Sequence, residues 1–145
     1  MYNTILVPLD GSKRAETILS HVFDVAGRYR AKVVLLAVIE PPTTIVAPDS
    51  VHIPSQEMIE EYQREVEGYL AEKQAQFHEK GIDAVVRIIY GRVVDEIINT
   101  AEREQADLIA MTSHGRTGLA RVFYGSVAAG VLHRIDRPLL LVRAE

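Results

Sequence analysis

KVVLLAVI, residues 32–39, decides the fold. A strand with one wet face alternates apolar and polar residues, but this run is apolar on both faces and rich in β-branched valine and isoleucine. It is also too short for a buried helix, and that combination marks a parallel strand covered by helices on both sides. Working upstream, residues 4–9 (TILVPL) have the same character, and Ala15, Ile18, Leu19, Val22, Phe23 and Ala26 recur between the two runs at helical spacing. They predict a one-faced helix that Gly27, Arg28 and Arg30 help to end.

Downstream, Ser55 can cap a long helix with a stripe of Ile59, Tyr62, Val66, Leu70 and Phe77, stopping at Lys80-Gly81. The sequence AVVRIIY (84–90) reads as a third strand, and its mid-strand Arg87 places it at a less buried, outer position. A third helix is marked by Val94, Ile97, Ile98 and Ala101, a fourth strand by 108–111, a fourth helix by 127–135, and a fifth strand by LLLV (139–142) after Pro138. Strict alternation of this kind predicts an α/β fold: an open, doubly wound, five-stranded parallel sheet with four helices, right-handed crossovers and strand order 3-2-1-4-5. Residues 1–145 are expected to form one domain. The irregular stretch PPTTIVAPDSVHIP (41–54), with prolines at 41, 42, 48 and 54, reads as an extended or lid-like connection.

Composition narrows the function classes. A chain of 145 residues with no cysteine can bury a core without disulfides, and thiolate metal sites and thiol catalysis are excluded. Its 16 basic and 20 acidic residues, net charge −4, are interspersed, which disfavours a nucleic-acid partner. No apolar run approaches a membrane span, and the N-terminus lacks the pattern of a secretory signal, so a cytoplasmic location is expected.

In open sheets of this type ligands settle beyond the carboxyl ends of the strands, where successive crossovers leave in opposite directions; here that point lies between strands 1 and 4. Strand 1 ends in VPLDGS (7–12) and strand 4 in MTSHG (111–115), so the two most unusual segments converge. Pro8 lacks an N–H and suggests that pairing stops there. Asp10 can accept hydrogen bonds from ribose hydroxyls or hold a metal-bound water, or else accept from the N–H groups of its own DGS turn. Gly115 permits a fold-back with inward N–H groups. Gly125-Ser126 begins a helix whose amino end favours an anion, Ser126 can cap that helix or reach a phosphate oxygen, and Arg116 or Arg121 can supply countercharge. His114 has no carboxylate or second histidine at motif spacing, so catalysis is not assigned to it. A P-loop and a G-x-G-x-x-G dinucleotide motif are both missing. A phospho-receiver site would require a second central carboxylate at the end of strand 3, where Tyr90-Gly91 stands instead.

VPLDGS, LLAVIE (35–40) and MTSHGRTGLARVFYGSV (111–127) together resemble the universal stress protein family along the whole chain. The resemblance implies a homodimer and, in one subgroup, binding of ATP or another adenine nucleotide through a pattern of Gly, two residues, Gly, nine residues, Gly and then Ser or Thr. Here Gly115, the nine residues 116–124, Gly125 and Ser126 match, while the first position is Thr112. A Cβ and a γ-branch therefore stand where binders present bare backbone. Carried over residue by residue, the resemblance implies Pro8 and Asp10 near base and ribose, and Val38 bonding adenine through its backbone. It implies Met111, Thr112, Ser113, His114, Gly115, Arg116, Thr117 and Gly118 around ribose and phosphates, with Gly125, Ser126, Val127 and Ala128 at the phosphate end and Mg2+ held through phosphates.

Two functions follow as expectations: a regulatory stress-response module that binds an adenine nucleotide, or a nucleotide-independent homodimer acting through partners. A slow ATP hydrolase is a further alternative, although no residue resembles a dedicated hydrolytic base. Residues Leu139, Leu140, Leu141 and Val142 form an apolar edge strand without a blocking charge or proline, so two copies are expected to pair through it.

Overall fold

The computed structural model describes residues 1–41, 55–113 and 125–144. Its elements run β1 (Thr4–Pro8), α1 (Lys13–Glu16), α2 (Ile18–Tyr29), β2 (Lys32–Ile39), α3 (Gln56–Glu79), β3 (Ala84–Tyr90), α4 (Val93–Arg103), β4 (Leu108–Thr112), α5 (Ser126–Arg134) and β5 (Leu139–Val142). All four strand pairings are parallel, and the order is β3-β2-β1-β4-β5. The expected topology therefore holds, with Arg87 on an edge strand, where it pairs with Glu104 just past the end of α4.

Alternation along each strand divides the core into two layers. Ile5, Val7, Val33, Leu35, Ala84 and Ala110 face α2 and α3, while Leu6, Val34, Leu36, Ile109 and Met111 face α4 and α5. Burial on both faces explains why the central strands lack an in-out pattern.

The helices refine the expectations. The first crossover helix is interrupted at Thr17, whose N–H bonds Arg14 O in a tight turn, leaving α1 as a separate four-residue piece. Gly27 does not stop α2; the helix continues to Tyr29 and closes with Arg30 in the left-handed region, φ 54°. Ser55 caps α3 as expected, its hydroxyl accepting from Met58 N–H at 3.2 Å. The predicted stripe of α3 is buried at Leu70 and Phe77, but Tyr62 is exposed. A 24-residue helix is about 36 Å long, longer than the strands it covers, and Val66, Tyr69, Leu70 and Phe77 are the residues that pack on the core.

Candidate functional site

The sheet divides at its middle. β1 stays with β2 through five register pairs, from Thr4↔Lys32 to Pro8↔Leu36, and the Leu9 N–H extends this contact to Leu36 O at 2.8 Å. β4 stays with β5 through four, from Ile109↔Leu139 to Thr112↔Val142, extended by Ser113 N–H to Val142 O at 2.8 Å. Between β1 and β4 there are two pairs, Ile5↔Leu108 and Leu6↔Ile109. Pro8 supplies a cause. Amides alternate sides along a strand, and since Leu9 N–H points to β2, the amide of residue 8 falls on the β4 side, where proline has no donor. The seam therefore opens at the carboxyl end, between the two segments that the sequence singled out.

The same alternation places Val38. Leu36 and Val38 direct their backbone groups toward β1, while Ile39 O accepts from Gly91 N–H on the β3 side at 3.0 Å. β1 has ended by the level of Val38, and among the described residues no hydrogen bond from beyond Leu9 reaches it. Val38 thus carries an N–H and a C=O side by side at an open edge.

Asp10 is exposed just past β1. Its Oδ1 accepts from Ser12 N–H at 2.9 Å and from the Ser12 hydroxyl at 2.6 Å, while Gly11 takes φ 84° between them. Ser12 in turn caps α1, its hydroxyl accepting from Ala15 N–H at 3.1 Å. The turn role considered for Asp10 is therefore realised, and it rests on one carboxylate oxygen.

Across the seam, Thr112 and Ser113 are buried, 6% and 3% exposed. Strand alternation sets Thr112 on the face of Ala110, toward α1 and α2, and Met111 on the opposite face. Gly125 N–H bonds Ser113 O, which fixes the amino end of α5 to the tip of β4. Gly125 is the N-cap, and no side chain of the described residues caps the helix. Ser126 is exposed at the first helical position, so its hydroxyl does not take the capping role; Val127 is half-buried and Ala128 buried. His114, Gly115, Arg116, Thr117, Gly118 and Arg121 lie outside the described residues, as do residues 42–54 of the lid candidate. Pro8, Asp10, Val38, Met111, Thr112, Ser113 and the start of α5 all sit at the carboxyl end of the sheet.

One cluster beside the site was missed in the sequence. Lys73 of α3 is 8% exposed and forms an ion pair with Glu16 of α1. Its ammonium lies 5.2 Å from the centre of the Tyr69 ring. The Tyr69 hydroxyl is enclosed and, among the described residues, makes no hydrogen bond of good geometry, with the Glu16 carboxylate its nearest polar contact. Burial first, then the negative charges of Glu16, Asp10 and Glu72, push its pKa well above the ordinary tyrosine value. The available signal was a lysine at position 73 of the apolar series 66, 70, 77, where helical spacing demands burial. Among the described residues no group of histidine and carboxylate side chains could hold a metal ion, and no helix is long and apolar enough to cross a membrane.

This geometry can be set beside known proteins. The model of the universal stress protein family matches residues 1–143. The chain belongs to that family. Universal stress protein MJ0577 of Methanocaldococcus jannaschii is 30% identical over 158 residues, covering 100% of this chain and 97% of the relative. Its solved structure superimposes with a TM-score of 0.75 over 100% of this chain and 98% of that one. A universal stress protein solved in complex with cAMP is 22% identical, with a TM-score of 0.74 over 99% and 98% of the two chains. Another, from Archaeoglobus fulgidus in complex with dAMP, is 19% identical, with a TM-score of 0.70 over 97% and 98%. These last two share the fold.

Proposed function

We propose that this universal stress protein is a regulatory module that binds an adenine nucleotide in the seam between β1 and β4. One observation carries the reading. The same end of the sheet combines a broken β1–β4 ladder, the open backbone edge of Val38 and the uncapped amino end of α5 tied to the tip of β4. Adenine offers a donor and an acceptor side by side on one edge of the ring, which an exposed N–H and C=O of one residue can meet. Asp10 would accept from a ribose hydroxyl with the carboxylate its turn fixes. The α5 amides at Ser126, Val127 and Ala128 suit phosphate, because the positive end of the helix dipole and unpaired N–H groups favour an anion. Met111, Thr112 and Ser113 would flank the sugar, with the 114–118 segment completing the enclosure. Thr112 replaces the glycine of the binding pattern, but its burial toward α1 and α2 is compatible with an uncrowded seam. Magnesium, where ATP is the ligand, would be held by the phosphates.

The relatives solved with cAMP and dAMP support an adenosine phosphate as the ligand class. We also propose that residues 1–145 act as one domain in the cytoplasm, in a stress response, and as a homodimer. β5 supports the dimer: it is an apolar edge strand with one neighbour, β4, and one open side among the described residues. Light scattering at micromolar concentration should give twice the 16.2 kDa chain mass, and a monomer refutes self-pairing.

The nucleotide reading is tested by calorimetry and thermal unfolding with ATP, AMP and cAMP, with and without magnesium. At about 100 times its dissociation constant a ligand adds about 2.7 kcal/mol to stability. Gly125→Val, which sets a branched side chain at the helix cap, should abolish most of that gain. No gain from any of the three nucleotides, with none recovered by mass spectrometry from the purified protein, overturns the reading in favour of a nucleotide-independent dimer.

A further inference from the structure

We propose that Lys73, through its ion pair with Glu16, is a positioning residue that holds the Asp10–Ser12 turn where Asp10 meets the ribose. This rests on the nucleotide reading above. α1 runs into α2 through Thr17, whose backbone stays helical, and Ala15 packs in the core, so the carboxyl end of α1 is held by its neighbours; the Glu16 side chain is what ties this stretch to α3. The Asp10 turn depends on α1 directly: Asp10 accepts twice from Ser12, Ser12 caps Ala15, and the Glu16 N–H returns to Ser12 O at 3.3 Å. Glu16 is therefore linked to Asp10 through Ser12 by two hydrogen-bonded steps, and its carboxylate is tied to α3 by Lys73.

The choice of lysine is informative. Position 73 lies between Leu70 and Phe77 on the buried side of α3, where both neighbours are fully enclosed. An apolar residue there would avoid the cost of desolvating an ammonium, and buried ion pairs are often no more stabilising than apolar replacements. What an ion pair supplies instead is a fixed partner. The Lys73 side chain is 10% exposed and that of Glu16 25%, so water competes weakly for the contact. The Tyr69 ring backs the ammonium, restricting it further. Glu72 and Asp10 also bear on this cluster as negative charges.

The test compares affinities of AMP, 2′-deoxy-AMP and 3′-deoxy-AMP by calorimetry, for the unmodified protein and for Lys73→Met, Glu16→Gln and Lys73→Arg. Amide hydrogen exchange at Ser12, Ala15 and Glu16 is followed in parallel. The unmodified protein should prefer AMP over at least one deoxy analogue. Lys73→Met and Glu16→Gln should each weaken AMP about 10-fold, leave the disfavoured analogue unchanged and speed exchange at the three amides, since a tenfold loss corresponds to about one hydrogen bond to a charged group. Lys73→Arg should restore most of the preference. Equal weakening of all three ligands indicates a merely structural role and overturns the proposal, as does an unchanged preference or an unmodified protein that binds without discrimination. If the unmodified protein binds no nucleotide, the reading of the site falls instead; exchange that remains unaltered in Lys73→Met then shows that the turn is not pinned from α3 either.

Discussion

The two helical layers cover the same sheet by different means. On the α2–α3 side, Phe23 and Phe77 pack with ring centres 4.4 Å apart, and the layer also encloses the Lys73–Glu16 pair and the Tyr69 hydroxyl. On the α4–α5 side the enclosed positions are apolar or uncharged, Thr100 and Ser113 being the polar ones. Closeness there comes from Gly130, where a Cβ would lie 2.8 Å from Val94 Cγ2 and 3.2 Å from Cγ1. The first layer tolerates an ion pair at some energetic cost, and the second has no room for an added methyl. The layer with the ion pair is the one that meets the Asp10 turn. A buried ion pair is poor evidence of stability, whereas a tight glycine contact is a packing device; the contrast therefore separates a layer shaped for the site from one shaped for the fold.

The largest expected effect breaks the packed layer. Gly130→Val should cost about 2–3 kcal/mol, toward the upper end for overpacking because Val94 is branched at Cβ and has few rotamers with which to yield. Urea unfolding measures it, and adding Val94→Ala should recover about half of the loss by vacating the space. A Gly130→Val protein as stable as the unmodified chain would mean that the helices separate freely, and the contrast between layers would lose its basis.

A smaller effect tests how the packed layer ends. The Arg137 guanidinium donates to Ala101 O at 2.9 Å and Ala106 O at 2.8 Å, closing the carboxyl end of α4 from the loop before β5. Arg137→Met keeps much of the stem's packing but leaves two carbonyls without this donor, and should cost about 1–2 kcal/mol. Nucleotide affinity should not change, since these groups lie at the opposite end of the strands from the seam. A loss of affinity would show that the two ends of the sheet are coupled.

Much of this was legible in the sequence. The runs at 32–39, 84–90 and 139–142 coincide with the observed strands, because burial on both faces leaves a continuous apolar signature that tertiary context does not rewrite. Pro8 was legible for a related reason: a missing donor has a consequence wherever the ladder would need it. What escaped depends on contacts between distant elements. Lys73 reads as a surface residue until Glu16 is folded against it, and the left-handed Arg30 reads as a charged helix end. Ser126 has the right chemistry for a cap, but Gly125 takes that position once Ser113 O holds its N–H.

The smallest effect sharpens the comparison from the polar side. Tyr69→Phe keeps the ring beneath Lys73 and removes only an enclosed hydroxyl without a good partner, so at neutral pH stability should be unchanged or rise by up to about 1 kcal/mol. The pH dependence is more diagnostic. Burial and the surrounding carboxylates disfavour the phenolate, so the folded protein keeps the Tyr69 proton above the ordinary tyrosine value of about 10 at which the unfolded chain releases it. In that range the folded state binds more protons than the unfolded state, and stability falls as pH rises. The contribution is complete below about pH 10 and is lost above it. Urea unfolding between pH 7 and 11 should therefore show a steeper decline for the unmodified protein than for Tyr69→Phe. Parallel slopes would mean that the hydroxyl is as well hydrated as a surface tyrosine, and the α2–α3 layer would then be no more closed to water than the rim of the seam it adjoins.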